Sequence, residues 1–546
     1  MAASSVILPG ARDTKRASTT VVWLCLFAIV ASGAIYFRLA SRDVASRSPD
    51  ERVYMAYATE VAHSGLGAFR ALVNDYNRTK EQWIYPPPVR IGHIFLVAQL
   101  MKLSGASAEN TAVSVSFAFS LLGFFVAALL GLRFFDRWAV LIGLALLSVS
   151  PLDLAMARRA WQDSVVAGIG ILLFYLCVEA STSSRPQWWR VCFWIVGFYF
   201  LLIKELALVI YALCVLWLVI DVWRRGFSWK AVAAVSIPSG LVVIVSYGAV
   251  MWVSGGAAPV LQLFQHVATA LAWNQYVHLY QRGPWYSYPL GFWVLSPVTT
   301  LLCGLGIGQI LLRKKSFAQV LGLDPRQLRA AWAMALFICA VLTAATLPQD
   351  FKCLRFVGVI QAPVYLIDGL LISYLLTVGR SRLAPAGWYV AVCAVAVAVV
   401  FVCLTDYARF QRIFVQYQLD DLAIVRVVNY ALAAGSGQDK APTETIAKLD
   451  TPPAEDPGSP EYQLSRSQTL YGQGLYGDAI MAAREALRLR PNYAEAWNNI
   501  GAAYNGLGLY EEAAAACEQA LRYKPDFELA RHNLEFAREK LKASKR

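Results

Sequence analysis

TTVVWLCLFAIVASGAIYF, residues 19–37, carries no charge over its whole length. At about 1.5 Å per helical residue it crosses a hydrocarbon core of about 30 Å. Arg12, Lys15 and Arg16 precede it, and no small-residue cleavage site stands before Arg38, so the run reads as a retained anchor and not a removed signal peptide. About a dozen residues beyond it comes SPDERVY, residues 48–54, where the adjacent carboxylates Asp50 and Glu51 sit close to the membrane. Paired acids in such a place point to chemistry at a lipid interface.

The rest of the chain extends this pattern. Of 546 residues 58% are hydrophobic and 16% charged, and the mean hydropathy is +0.47, which excludes an ordinary soluble protein. The expected fold class is all-α: a polytopic helical membrane protein with a charged helical tail, since the last roughly 90 residues are rich in Glu, Arg and Lys. The net charge of +13 sits largely in short loops between spans. Retention of basic loops on the cytoplasmic side accounts for that, so no nucleic-acid partner is assigned. The ten cysteines form no CxxC pair and mostly lie inside apolar runs, as small hydrophobes do. His63, His93, His266, His278 and His532 show no metal-ligand spacing, so no metal site is assigned; a divalent ion has no residue pattern behind it and no cofactor is obligatory.

Apolar runs at 19–37, 110–132, 138–152, 164–180, 191–203, 206–223, 231–253, 291–312, 330–347, 357–378 and 387–405 give about eleven spans. The segment 86–105, opened by Pro86-Pro87-Pro88, is placed as an interfacial helix, because counting it as a span would invert the downstream charge pattern. An odd count puts the termini on opposite sides. The loops with Arg133/Arg137, Arg185/Arg190, Arg224/Arg225/Lys230, Arg313 to Arg329 and Arg380/Arg382 then share the N-terminal side, the cytoplasm by the positive-inside rule. The outer face collects Asp50, Glu51, Arg158, Arg159, Asp163, Lys204, Glu205, the loop Arg282 to Tyr288 with Trp285 and Tyr286, Lys352 and Arg355. Ionisable groups at membrane depth cost about 2.5–3.5 kcal/mol each, so their gathering at one boundary argues for a site; snorkelling anchors are the other reading of Arg158, Arg159 and Lys352.

Taken in order, several pieces resemble the GT-C membrane glycosyltransferases, above all protein O-mannosyltransferases and lipid A aminoarabinose or galacturonic acid transferases. They are Asp50-Glu51 with Tyr54, Tyr85-Pro86-Pro87, Ser150-Pro151 leading through Arg158-Arg159 to Asp163, Lys204-Glu205, and Lys352 with Arg355-Phe356 and Pro363. The resemblance covers roughly residues 20–400 and implies a sugar donor on a polyprenyl phosphate, used at the outer leaflet. It implies Asp50 as the base that takes the acceptor proton, Glu51 orienting it, and Asp163 as a second acid. Arg355, Lys352 and one of Arg158 and Arg159 become the cations facing the lipid phosphate. A single displacement would invert the anomeric centre. Two departures stand out: a proline run stands where the aminoarabinose transferases have a phosphate-contacting Lys-Pro, so that contact is missing or is replaced by Arg90, and Phe356 stands where Tyr is frequent.

The expected organisation is a cytoplasmic segment 1–18, a transferase domain 19–405, a connecting helix and Gly/Ser/Pro-rich linker 406–460, and a tail 461–546. In the tail GQGLYGDAIMAAREALRLRP and GLGLYEEAAAACEQALRYKP align at a period of 34 residues, the tetratricopeptide signature, giving repeats 460–493 and 494–527 and a capping helix 528–542. Two repeats fall short of the roughly three usually needed, so packing borrowed from 406–434 or a partner is expected. The layout is similar to eukaryotic O-mannosyltransferases with lumenal repeats, which favours a polypeptide acceptor or partner protein in the repeat groove. The same chemistry on a lipid A, lipid or surface-glycan acceptor, with the repeats as an assembly module, is the alternative, and an inactive scaffold a third. The expected location is a multi-pass protein of a bacterial inner membrane, N-terminus cytoplasmic, site and repeats periplasmic.

Overall fold

The computed structural model describes residues 10–40, 44, 47–79, 82–83, 85–271, 277, 280–348, 352–436, 459–472 and 474–544. Two units make up the chain: Met1–Gly65, Arg90–Val250 and Gly283–Gln438 form one, and Leu66–Val89, Met251–Arg282 and Asp439–Arg546 the other. Most of the expected linker, residues 437–458, lies outside the described residues, as does His278.

In the first unit the apolar runs are helices, because hydrocarbon offers the backbone no water and a helix satisfies its polar groups within one segment. Each expected span has helix beneath it. Among the described residues eight helices are long and apolar enough to cross a membrane, or nine when the pair Arg137–Ser148 and Pro151–Ala157, bent by 56° at Ser150-Pro151, counts as one. The remaining two ranges fall on helices of 16 residues, Pro186–Leu201 and Pro297–Leu312, each too short to qualify alone. The segment expected to be interfacial contains the helix Ile91–Ser104. Outside the helices, the described residues hold one isolated β-bridge, Cys353 with Ala423, and the fold is all-α.

The helix Asp163–Thr182 is among the most enclosed of these, and the helix Ala108–Phe134 crosses it at Gly168, where an added Cβ would stand 2.3 Å from the Phe119 carbonyl oxygen. Gly369 meets the Ala139 carbonyl in the same way, at 2.0 Å. Small residues substitute here for a hydrophobic driving force, letting backbones approach closely. Basic loops converge away from the candidate site: Glu179, fully buried at the far end of the Asp163 helix, binds Arg133 at 2.6 Å and Arg326 at 3.0 Å.

In the second unit the helices Ala68–Arg78 and Ala257–Leu271 pack together, with Asn77 donating to the Pro259 carbonyl at 2.9 Å. The repeats form two helix pairs, Pro460–Gly472 with Tyr476–Leu489 and Ala494–Gly506 with Tyr510–Tyr523, closed by Glu528–Ser544. Every pair is in register at 34 residues, down to the loop glycines Gly474 and Gly508, both with positive φ. Ala479, Ala483, Ala503, Ala513 and Ala520 are fully buried, and an added Cβ at Gly501 would lie 2.3 Å from Cys517 Sγ. The closing helix buries Ala530, Leu534 and Ala537 and donates Asn533 to Asn498 at 2.9 Å, supplying part of the missing third repeat. The segment 406–434, expected to lend packing to the repeats, packs instead in the first unit: Ile424–Gly435 lies on Ser287–Leu295, burying Ile424, Val427 and Tyr430.

Candidate active site

Ser48 and Pro49 start the helix Pro49–Ser64, and they decide where its two acids go. Glu51 occupies the third helical position and closes a capping box, its Oε2 accepting from the Ser48 main-chain N–H at 2.7 Å and from Ser48 Oγ at 3.1 Å. The same buried carboxylate takes the Arg159 guanidinium and the Ala160 N–H at 2.6 Å. Consecutive helical side chains do not face each other, so Asp50 points elsewhere. It is 28% exposed and accepts from Arg355 at 2.6 Å. The Asp-Glu pair thus divides into one open carboxylate and one enclosed one.

Arg355 opens the 3₁₀ turn Leu354–Ile360, and Asp163 begins the helix Asp163–Thr182. Arg355 Nε lies 3.8 Å from Asp163 Oδ2, so one guanidinium stands between two carboxylates. Lys204, in the turn after the helix Pro186–Leu201, binds Asp163 Oδ1 at 2.6 Å. Aromatic faces hold both cations: Arg355 lies 4.9 Å from the Trp161 ring centroid and Lys204 4.3 Å from that of Phe356. A second row runs alongside. Arg90 pairs with Glu205 at 2.9 Å and donates to the Tyr54 hydroxyl, which also accepts from Gln162 at 2.7 Å.

The resulting charges are fixed by neighbours. Burial alone would raise the Glu205 carboxyl, yet Arg90 holds it below the ordinary range. Burial likewise works against the Arg90 charge, and Glu205 more than reverses it, so that guanidinium stays ionised. Burial pushes the Tyr54 phenol up, making it a neutral hydrogen-bonding group and no base. Lys204 is pulled down by burial, with Asp163 opposing.

The structure therefore brings Asp50, Tyr54, Arg90, Asp163, Lys204, Glu205 and Arg355 into one array, with Glu51 and Arg159 as a buried pair beside it. Arg158 instead donates to the Phe414 carbonyl at 2.6 Å. Lys352 donates to the Thr346 carbonyl at 2.7 Å, at the C-terminus of the helix Pro325–Thr346, where a cation favours the helix dipole; burial pulls its ammonium down. Trp285 and Tyr286 are exposed, edge to face at 5.8 Å. Beyond these, the sequence reading passed over Trp161, Gln162 and the chain after the last span. There Leu422 accepts from the Leu354 N–H at 2.9 Å and Ile424 donates to the Lys352 carbonyl at 3.0 Å, tying down the segment that carries Arg355. Arg426 holds Asp420 at 2.6 Å, and Arg426 and Arg159 keep that acid below the ordinary range against its burial. The signal was present: an acidic pair, Asp420-Asp421, just past the last span. Among the described residues no three His, Cys, Asp or Glu side chains gather as metal ligands do.

Residues 87–252 match the dolichyl-phosphate-mannose-protein mannosyltransferase family, a stretch that holds Arg90, Asp163, Lys204 and Glu205 and stops short of Asp50 and Arg355 on either side. That match covers less than a third of the chain. Residues 494–527 match the tetratricopeptide repeat. No curated protein matches the chain significantly. Among solved structures this chain is similar to the archaeal oligosaccharyltransferase AglB from Archaeoglobus fulgidus in complex with an inhibitory peptide and a dolichol-phosphate. That likeness has 12% identity and a TM-score of 0.50, covering 87% of this chain and 60% of the other. ArnT from Cupriavidus metallidurans matches at 15% identity and TM-score 0.44, over 92% of this chain and 80% of that one.

Glu51 supports the array through burial. Breaking a buried ion pair by removing one partner strands the other charge, at about 3–5 kcal/mol. Glu51→Ala is expected to lower the thermal unfolding midpoint in detergent clearly, and Glu51→Leu with Arg159→Met to restore much of it. An unchanged midpoint in the single variant would remove Glu51 from the scaffold and return it to the chemistry.

Proposed function

We propose that this chain is a glycosyltransferase that moves a sugar from a polyprenyl-phosphate carrier to a hydroxyl group of a polypeptide on the outer face of the membrane, inverting the anomeric centre. One observation carries the reading: a single guanidinium, Arg355, held between Asp50 and Asp163 at the membrane boundary. A lipid phosphate gains charge as it leaves, and a guanidinium matches it with two parallel hydrogen bonds. Phosphate competes with Asp50 for Arg355. As Arg355 turns to the phosphate, Asp50 is freed to take the proton of the attacking hydroxyl. Asp163, fixed by Lys204, keeps Arg355 at the correct height throughout. The bond from acceptor oxygen to anomeric carbon forms as the bond to the phosphate oxygen breaks, so one displacement gives inversion.

Support for a lipid donor comes from a cavity of about 180 Å³ lined by Leu152, Phe292, Cys303, Ile338, Ile360 and Tyr365. Ile360, the last residue of the turn carrying Arg355, is part of its lining, and its exposed wall is mostly apolar, which suits isoprene units. The archaeal enzyme of like fold carries dolichol-phosphate and a peptide together, the ligand pair assigned here. The basic loops support an N-terminus in the cytoplasm, and an odd span count supports a site and repeats on the far side of a bacterial inner membrane.

The purified full-length chain is expected to consume a radiolabelled polyprenyl-phosphate sugar and label peptide. Deleting Pro460 to Arg546 should spare that chemistry, since the whole array precedes the repeats, yet lower labelling of a natural polypeptide acceptor about tenfold or more at low concentration. A tethered groove raises local acceptor concentration toward the millimolar range, so excess acceptor should rescue the truncated chain. Label appearing only in lipid or glycan, with no effect of truncation, would make the repeats an assembly module.

A further inference from the structure

Two stretches far apart in the chain carry the central contact of the array: 158–163, which ends in Asp163, and 352–355, which ends in Arg355. Arg355 Nε stands 3.8 Å from Asp163 Oδ2. Residues 158–162 and 352–353 lie outside helices, so helical winding does not fix how far apart the two groups stand. Something else must.

A third stretch, 414–426, touches both. Phe414 lies in the π-helical turn Gln411–Gln416, where the last carbonyls of a helix lack partners within it, and its carbonyl accepts from Arg158 at 2.6 Å. Further on, Ala423 and Cys353 form the isolated antiparallel bridge, flanked by Leu354 N–H to the Leu422 carbonyl at 2.9 Å and Ile424 N–H to the Lys352 carbonyl at 3.0 Å. Cys353, Leu422 and Ala423 are each 1% exposed or less, so water does not compete for these bonds. Charge closes the turn between. Arg426 binds Asp420 at 2.6 Å and Asp421 at 3.3 Å, and Asp421 Oδ1 accepts from the Ala423 N–H at 3.2 Å. Gln418, with φ +54°, is the one non-glycine residue of positive φ among the described residues, a conformation that persists only where its surroundings impose it.

Resting on the function proposed above, we infer that residues 414–426 are a brace that sets the spacing of Arg355 and Asp163, with Arg426 as the positioning residue that keeps it closed. One end grips the Arg158 side and the other the Lys352 side, so an open brace lets Arg355 drift from Asp163 without altering either side chain. A displacement of about 1 Å in a reacting group can cost about 10²-fold in rate. The brace follows the last span and lies outside the stretch 87–252 that matches the mannosyltransferase family.

Ile424 offers the test. It is the first residue of the helix Ile424–Gly435, where proline is tolerated, and Ala423 before it is extended at φ −59° and ψ 132°. Ile424→Pro removes the N–H that the Lys352 carbonyl accepts, whereas Ile424→Ala removes the buried side chain and keeps that N–H. With the full chain in lipid nanodiscs, kcat for transfer from a radiolabelled polyprenyl-phosphate sugar to peptide is expected to be about tenfold or more lower in Ile424→Pro than in Ile424→Ala, with acceptor KM unchanged. Arg426→Met should show a similar loss, and Arg426→Lys, which keeps a cation for one acid, should recover part of it. A second readout needs no turnover. N-ethylmaleimide should modify Cys353, located by mass spectrometry, about tenfold or more faster in Ile424→Pro and Arg426→Met than in the unaltered chain, since burial now shields that thiol. Equal kcat in Ile424→Pro and Ile424→Ala, or equal shielding of Cys353 throughout, would overturn the brace. Acceptor KM rising with the fall in kcat, and no recovery in Arg426→Lys, would make the segment plain scaffold and overturn the positioning role. If the unaltered chain consumes no labelled donor, the function proposed above fails, and the Cys353 rates still decide whether 414–426 holds the turn that carries Arg355.

Discussion

Asp50→Asn is expected to abolish transfer, lowering kcat by about 10²–10⁴-fold, the range for loss of a positioned base. The substitution keeps size and shape, and Asp50 is partly exposed at the second position of its helix, so folding should survive. The amide still accepts a hydrogen bond from Arg355 and cannot take a proton. Donor affinity should therefore hold or rise slightly, since phosphate no longer competes with a carboxylate for the guanidinium. The checks are single-turnover transfer with a labelled donor and, separately, donor binding. Most of the turnover surviving in Asp50→Asn would remove this residue as base and shift attention to Asp163. That shift has a physical obstacle: Asp163 is 2% exposed and already bound to Lys204, so it would have to shed a buried ion pair before accepting a proton.

How much of this was legible in the sequence depended on which interaction placed each residue. Helices set by uninterrupted apolar runs were readable to within a few residues, as Pro385–Phe410 over the expected 387–405 shows, because the bilayer imposes length and polarity together. The repeats were readable for a different reason: a fixed period forces the same small residue into the same contact, and Gly501 and Ala513 sit where that period demands. The site was legible in its acids and bases and obscure in their pairing. Nothing in Asp-Glu says that Glu51 turns inward to close a capping box while Asp50 turns out; that follows from Ser48 and Pro49 fixing the first turn. Nor could composition show that Lys352 is drawn to a helix C-terminus while Arg355, three residues on, faces the carboxylates. The chain beyond the last span, 406–460, has the sequence of a connecting helix and linker. Its role comes from two main-chain hydrogen bonds to residues 352 and 354, a long-range pairing that no local pattern announces.

Arg355 supplies the other large effect. Arg355→Ala is expected to weaken donor binding by about 10²-fold and to lower transfer further, since the group lost is the one that meets charge as it develops on the leaving phosphate. Arg355→Lys should lose less binding, because one ammonium replaces the charge, and should still lose rate, because a point donor cannot hold phosphate bidentately while spanning toward Asp163. The aromatic setting sharpens this contrast. Arg355 Cζ lies 4.9 Å from the Trp161 centroid, a cation–π contact that the shorter reach of a lysine ammonium reproduces less well, so the lysine variant should hold its cation less firmly against Asp50. Acceptor KM should change little in either variant, which separates a phosphate contact from general collapse of the array. Titration of undecaprenyl phosphate, with and without sugar, against the three proteins measures the effect. Equal affinity in all three would make Arg355 a structural bridge between Asp50 and Asp163 and place the phosphate instead on Arg90, the remaining partly exposed cation of the array.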